Sequence, residues 1–512
     1  MRARQLHESY EKKKNIFHDY IDDIKRRSKV DFYTIINATL IKNPYVSEFP
    51  KKFFLGEHAK KNLFYQFIKS TLKFYIRAYY SFISYFVSFI LFKIYYKKSN
   101  FRSRDFLLID IFFLVENIIK ENEFSENYFV GLYDVLDKCN KNYLFLPRLY
   151  GINKNPFKLI EFFKIINQDK RNFLFEFELL SVKDFLSIFF LILLYPFKTL
   201  RLLQSEKSNQ DGLFNSELIK DIGYVSFDSF SRYILGKNVA KLSSVDRIYS
   251  WSEFQAVERS FNYGVRSNNT HIKLFGCQFY LNYETYLNNY VDDIDFEQKT
   301  SCHDILVNGN HYVLDREKVK YKKGVSLRYK DVFSFSKTGT GQNILLLGSY
   351  IEKETRNMFD SVSSFENVFF KNHPIVDINR FGELDSNITI INENIYKLFE
   401  NSELVIGTAS GTSVEAVACG VSVIIIASHE NLTANPLVEH GKGKIWDIAF
   451  SKDDVKKVYN DLIEYRNDNK TEIQEIASWY RDNFFIEPTE ENIIKAFELE
   501  AIEQSKDTKI ML

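Results

Sequence analysis

The stretch ELVIGTASGTSVEAVACGVSVIIIA, Glu403 to Ala427, decides the fold. It reads as strand, small-residue turn, short helix, glycine stop and a second buried strand. Short apolar runs bounded by turn signals suit strands covered on both faces of a parallel sheet. The turn Thr408-Ala409-Ser410-Gly411-Thr412-Ser413 combines hydroxyls with little bulk. It lies where a helix start would expose unpaired N–H groups, which with the positive dipole end favour an anion such as phosphate. Upstream, Lys371-Asn372-His373-Pro374 closes an apolar strand and can bring an imidazole donor to the same anion. Thr412-Ser413-Val414-Glu415 also fits a capping box, with Thr412 at the N-cap and Glu415 at N3. Glu415 can alternatively reach a ribose hydroxyl. Gly420 reads as a helix-terminal glycine. Together these features predict a site for a nucleotide-linked donor.

Outward from this stretch, strand and helix patterns alternate. NILLLGSY from Asn343 is a buried strand ending in Gly348-Ser349, which can approach the donor phosphate, and Ile351 to Ser364 is a helix. NVFFKNHP and NITIINENI supply further strands. Helices are expected over Ser451–Tyr465, Thr471–Phe485 and Glu490–Ser505. A similar alternation runs earlier: strands at 106–115, 143–151, 173–180 (FLFEFELL), 246–249, 271–275 and 304–307, with helices at 126–140, 156–167 and 253–263. This rhythm predicts βαβ units and parallel sheets. The Lys-, Gly-, Ser- and Thr-rich stretch Lys320 to Gly341 supplies a linker. The expected division is 1–104, a basic, aromatic-rich helical extension; 105–325, an acceptor domain; 326–342, the linker; 343–485, a nucleotide-donor domain; and 486–512, a closing helix and tail. Two such domains place a cleft between the carboxyl ends of two sheets, where α/β folds bind ligands.

The 512 residues are 45% hydrophobic, enough for full cores, and carry a net charge of +1, which argues against a nucleic-acid partner. Four dispersed cysteines without a CxxC pair suggest reduced thiols. The start MRARQLHESYEKKKN has no apolar run behind it, so a cytoplasmic location is expected. From Lys60 to Arg104 there are ten Lys or Arg residues and no Asp or Glu, around the uncharged run Ala78 to Phe92. A second uncharged run, Phe185 to Phe197, precedes Lys198 and Arg201. Both runs fall short of the ~20 apolar residues of a bilayer span. They fit helices lying on an anionic inner-membrane leaflet, or core helices with lysines at the rim.

The C-terminal half resembles the nucleotide-binding domain of GT-B glycosyltransferases. The likeness rests on the His-Pro pair and the Ser/Thr-rich turn, as in capsule Kdo transferases, bacterial sialyl- and polysialyltransferases and teichoic-acid-type glycerophosphotransferases. The segments YSWSEFQAVERSF (249–261), DILVNGNHYV (304–313) and GVSLRY (324–329) are similar to surface-carbohydrate enzymes of this group. The resemblance spans roughly residues 105 to 480. It implies two Rossmann-like domains with parallel sheets facing across a cleft. It also implies a nucleotide phosphate held by His373, Pro374, Ser410, Gly411, Thr412 and Ser413, with Gly348, Ser349 and Glu415 nearby. Asn435-Pro436-Leu437 resembles a loop near the donor.

The expected reaction is inverting transfer from a CMP-linked acidic sugar, Kdo or a nonulosonate, to a surface polysaccharide or lipid-linked glycan. The base that takes the acceptor's proton should come from the facing domain, with Glu253, Asp228 and Glu258 as candidates. Where related chains carry a histidine after Gly-x-Gln, this one has Phe279 after Gly276-Cys277-Gln278. Asp293-Ile294-Asp295 matches a metal-binding DxD but is expected in an acidic loop, within Asn288 to Cys302, without the flanking apolar strand, so neither a metal nor another cofactor is expected. No GxGxxG, Walker A, HExxH or GxSxG pattern occurs. Transfer from a CDP-glycerol-type donor and a non-catalytic assembly protein are the alternatives.

Overall fold

The computed structural model describes residues 2–59, 62–97, 105–150, 155–269, 271–335 and 341–500. Gly151, residues 336–340 of the linker and the tail beyond 500 lie outside these residues. Two six-stranded, wholly parallel sheets form the body. The first comprises β1 (Phe106–Leu114), β2 (Tyr143–Tyr150), β3 (Val245–Trp251), β4 (Lys273–Gln278), β5 (Asp304–Val307) and β6 (Lys320–Lys323), in the order β2-β1-β3-β4-β5-β6. The second comprises β7 (Asn343–Leu347), β8 (Val368–Lys371), β9 (Ile388–Ile390), β10 (Ser402–Gly407), β11 (Ser422–Ile426) and β12 (Trp446–Ala449). Its order, β9-β8-β7-β10-β11-β12, is that of a doubly wound dinucleotide-binding sheet. The arrangement is α/β, two Rossmann-like domains of GT-B type with a helical N-terminal extension.

The strands form where the apolar runs predict them, because both faces are covered: all five residues of β11 and the first six of β1 are buried. Four expectations need correction. FLFEFELL is not a strand; after one bridge from Phe173 to Phe145 it turns into the helix Glu176–Leu179, where Glu178 accepts the Phe175 N–H. The helix expected from Glu126 is confined to Leu132–Lys138, because the Glu126 carboxylate ties down the N–H groups of Tyr128 and Phe129. Lys320–Lys323, expected in the linker stretch, pairs with β5. Asp293-Ile294-Asp295 opens a short helix capped by Asp292 rather than lying in a loop.

The extension is not a separate appendage. Its first helix, Arg2–Arg27, buries Leu6, Tyr10, Phe17, Ile21 and Ile24, and Lys25 donates to buried Asp295 of the first domain at 2.7 Å. Further along, Lys51 donates to Glu430 O and Pro44 O accepts from Asn431, both of the second domain. The extension therefore straddles the two sheets. Its longest helix, Leu63–Tyr95, runs well past the uncharged stretch, since Lys69, Lys73 and Arg77 sit within it.

The helices Asp228–Val239 and Ala256–Arg266 cross through glycines. A Cβ on Gly236 would lie 2.5 Å from Phe261 O, and one on Gly264 would lie 2.5 Å from Tyr233 O. Neither clash can be relieved by a rotamer change, because both partners are helix backbone. Gly264→Ala is expected to destabilise the chain by about 1–3 kcal/mol. Urea unfolding followed by tryptophan fluorescence checks this, and an unchanged midpoint contradicts the crossing.

Candidate functional site

Both sheets end on one cleft of about 940 Å³. Each contributes its topological switch point, between β1 and β3 in the first and between β7 and β10 in the second, where parallel sheets open a crevice at their carboxyl ends. Of the residues expected at the site, Glu253, Gly348, His373, Pro374, Ser410, Gly411, Thr412 and Glu415 line this cleft. Asp228, Glu258, Ser349 and Ser413 do not.

His373 follows β8 and is half-buried. Its Nδ1 accepts the Ile375 N–H at 3.3 Å, which leaves the proton of the neutral ring on Nε2. Burial lowers the imidazole's pKa, so the neutral donor form persists to lower pH than in a free histidine. Gly348 is required beside it: a Cβ there would lie 3.0 Å from the His373 backbone nitrogen and 3.1 Å from the Phe370 ring. Ser349 is turned away. Its hydroxyl donates to Glu354 and accepts from the Ile351 N–H, fixing the turn after β7.

After β10, Ala409 takes a left-handed φ of 49° and donates its N–H to Ala434 O, next to Asn435-Pro436-Leu437. A non-glycine residue there stores strain that a packed site must hold. A Cβ on Gly411 would lie 3.0 Å from Leu281 Cβ of the first domain, so the glycine permits close approach of the two domains. The capping box does not form. The helix Thr412–Ala418 begins one residue earlier than the pattern predicts, with Gly411 at the N-cap and no side-chain cap. Glu415, one position too far along, instead accepts the Tyr396 hydroxyl at 2.6 Å, and burial raises its pKa against that hydrogen bond. Ser413 is fully buried, and its hydroxyl has no hydrogen-bond partner among the described residues.

On the facing side, Glu253 sits just beyond β3 in a segment with three fasteners. Phe254 adopts φ 49° and buries its ring against Gly276, where a Cβ would lie 2.8 Å from it. Asn288 donates to Glu253 O at 2.9 Å, and Gln255 Nε2 donates to the Glu253 carboxylate at 2.9 Å.

Glu258 has a structural part. It accepts the Gln255 N–H at 3.0 Å and the Arg148 guanidinium at 2.6 Å. Arg148, buried on β2, also grips Asp110 through two bonds of 2.9 and 2.8 Å, Ser250 Oγ at 2.7 Å and Trp251 O at 2.6 Å. Arg232 adds a second cation to Asp110 at 2.7 Å. Burial opposes ionisation of Asp110, but the two guanidiniums outweigh it and hold its carboxyl below the ordinary range. Asp228 lies at the first position of its helix, paired with Ser226 at 3.1 Å.

The sequence reading missed an aromatic wall. The Tyr45 ring of the extension lies 4.4 Å from that of Tyr286, tilted by 58°, and the Tyr286 hydroxyl meets that of Tyr350 at 3.0 Å, so all three parts of the chain meet here. It also missed Arg328, in the GVSLRY segment. That segment is pinned by Ser326, which exchanges backbone and side-chain bonds with Ile486 at 2.9 and 3.0 Å. The guanidinium stands 5.5 Å over Trp251 and 5.9 Å over Tyr128, and among the described residues it has no hydrogen bond or ion pair. Asp293 and Asp295 are occupied elsewhere, by three backbone N–H groups and by Lys25 and Arg259 respectively. Among the described residues no group of three metal-ligating side chains gathers. Phe279 is packed 5.8 Å from Phe497, so its position belongs to the core.

Fold and cleft together define a two-domain α/β protein of GT-B architecture with a nucleotide-sized crevice. No protein-family model and no curated protein matches the sequence. Among solved structures, the chain is similar to a Staphylococcus aureus MnaA–UDP co-structure, at 10% identity and TM-score 0.43 over 78% of this chain and 98% of that one. Acinetobacter baumannii MurG gives 11% and 0.40, over 77% and 100%. The wall teichoic acid polymerase TagF gives 8% and 0.35, over 86% and 97%. All three fall below a TM-score of 0.5, and none bears on what this chain does.

Arg148→Met would leave Asp110 and Glu258 buried without their shared cation. A loss of about 3–5 kcal/mol in stability is expected. Urea titration checks it, and a loss under about 1 kcal/mol, the worth of a surface pair, contradicts this role.

Proposed function

We propose that the protein is a metal-independent glycosyltransferase that moves an acidic sugar from a CMP-linked donor to a surface polysaccharide or lipid-linked glycan. The observation that carries this reading is the convergence of His373, the 409–412 turn and Glu253 on one cleft, from opposite sheets. The cytidine base and the sugar class come from the resemblance of the His-Pro and Ser/Thr motifs.

The acceptor hydroxyl oxygen attacks the anomeric carbon while the bond from that carbon to the phosphate oxygen breaks. The electron pair leaves with the nucleotide, and the hydroxyl proton passes to the Glu253 carboxylate. Nε2–H of His373 and the hydroxyls of Ser410 and Thr412 meet the charge growing on the phosphate. Such preorganised donors commonly supply the largest catalytic contribution. Arg328, which makes no hydrogen bond or ion pair among the described residues and whose charge reaches Glu415, takes the carboxylate of the acidic sugar. Its rigid turn holds the planar fork ready for bidentate contact. One displacement on one face inverts the anomeric centre.

Three variants separate these roles. Glu253→Gln is expected to lower kcat by about 10²–10⁴ with CMP binding unchanged. His373→Ala should weaken CMP binding and kcat together. Arg328→Gln should raise KM for an acidic-sugar donor while leaving the affinity for CMP alone unaltered. Addition of EDTA should leave the rate unchanged. A His373→Ala protein that binds CMP like the parent contradicts the phosphate grip, and a preference for uridine nucleotides contradicts the cytidine assignment.

A further inference from the structure

We propose that the outward face of two paired helices, Leu63–Tyr95 and Val182–Thr199, docks flat on an anionic lipid bilayer. Each helix has two apolar faces. On the first, Phe74, Ala78, Tyr85 and Phe92 are buried in the first domain's core. Ile68, Leu72, Ile76, Ile83, Ile90 and Ile94 recur at spacings of four or seven residues on the other side and are exposed, Ile76 by 73% and Ile83 by 62%. The second helix repeats the pattern: Phe185, Ile188 and Ile192 are buried, while Leu186, Phe190, Leu194 and Phe197 are exposed.

The two helices are clasped, so their outward stripes form one surface. Tyr79 lies 5.2 Å from Phe189, Phe86 lies 5.1 Å from Phe185, and the Tyr75 hydroxyl donates to Leu193 O at 2.7 Å. The longer helix has 33 residues, about 50 Å of length. A continuous apolar stripe of that reach exceeds what soluble monomers leave uncovered without a partner.

Charge selects the partner. Between Leu63 and Lys97 there are five cations, Lys69, Lys73, Arg77, Lys93 and Lys97, and no carboxylate. Lys69, Lys73 and Arg77 are spaced by four, one position on from Ile68, Leu72 and Ile76, so a basic row borders the apolar stripe. Arg77 donates to Gly223 O at 2.7 Å and Lys73 stands 3.6 Å over the Tyr224 ring, which keeps that row against the domain surface. An apolar stripe with a basic rim matches hydrocarbon below and anionic headgroups beside it. A second copy of the chain would bring like-charged rows together.

The same contacts decide between lying on the bilayer and crossing it. Both helices are long and apolar enough to cross a membrane. Yet each is packed along its length against the domain, and Gln66 also donates to Ser216 O at 2.8 Å. A crossing would carry those partners and the basic row into hydrocarbon.

Flotation of the purified full chain on a density gradient tests this, independently of any transfer activity. It should rise with phosphatidylcholine–phosphatidylglycerol vesicles, far less with phosphatidylcholine alone, and be released by high salt. Ile76→Asp with Ile83→Asp should abolish flotation without altering the circular-dichroism spectrum, because both side chains point outward. Lys69→Gln with Lys93→Gln should weaken binding to the anionic vesicles by roughly fivefold for each cation removed. Failure of the parent chain to float, or an aspartate variant that floats as well as the parent, overturns the proposal. So does a dimer in sedimentation that the aspartate substitutions dissociate, which would make the face a protein interface.

Discussion

The buried guanidinium of Arg148 is the interaction on which the first-domain side of the cleft depends. It joins β1 through Asp110, β3 through Ser250 and Trp251 O, and the following helix through Glu258. Parallel strands β1 and β3 meet at the switch point of the first sheet, so one side chain fixes the carboxyl end where the crevice opens. An ion pair buried this deeply gains little net stability over an apolar filling, and what it supplies is geometry. Because Glu258 is held by Arg148, the carboxylate two residues past β3, Glu253, is the one left facing the cleft.

The second-domain side is built by different means. There the positions are fixed by close backbone approach, Gly348 beside His373 and Gly411 beside Leu281, and by the left-handed Ala409. Bulk at Gly348 would press on the His373 backbone, and bulk at Gly411 would press on Leu281 across the domain boundary. The extension adds a third constraint. It bonds to both domains and places Tyr45 against Tyr286 at the cleft.

Much of this was legible from residue order. The second sheet could be read nearly strand by strand, because buried parallel strands are continuous apolar runs separated by glycine and asparagine. The neighbourhood of His373 and Ser410 was legible for the same reason: each follows such a run, and strand ends of one parallel sheet converge. Side-chain direction was not. Glu258 caps its helix through the Gln255 N–H, but what holds it away from the cleft is Arg148, more than a hundred residues earlier. FLFEFELL has strand composition, but β2 accepts only one bridging residue from it before Glu178 caps a turn. The capping box failed by a single residue. Arg328 and the tyrosine wall were invisible because they are assembled from segments distant in the chain.

The proposed transfer rests on one mononucleotide phosphate held between the imidazole after β8 and the turn after β10. A crystal structure of the chain with cytidine 5′-monophosphate tests it most directly. The phosphate is predicted within about 3 Å of His373 Nε2 and of the hydroxyls or amides of residues 410–412, with the ribose toward Glu415. A nucleotide seated elsewhere, or a phosphate in the cleft that touches neither group, would contradict it.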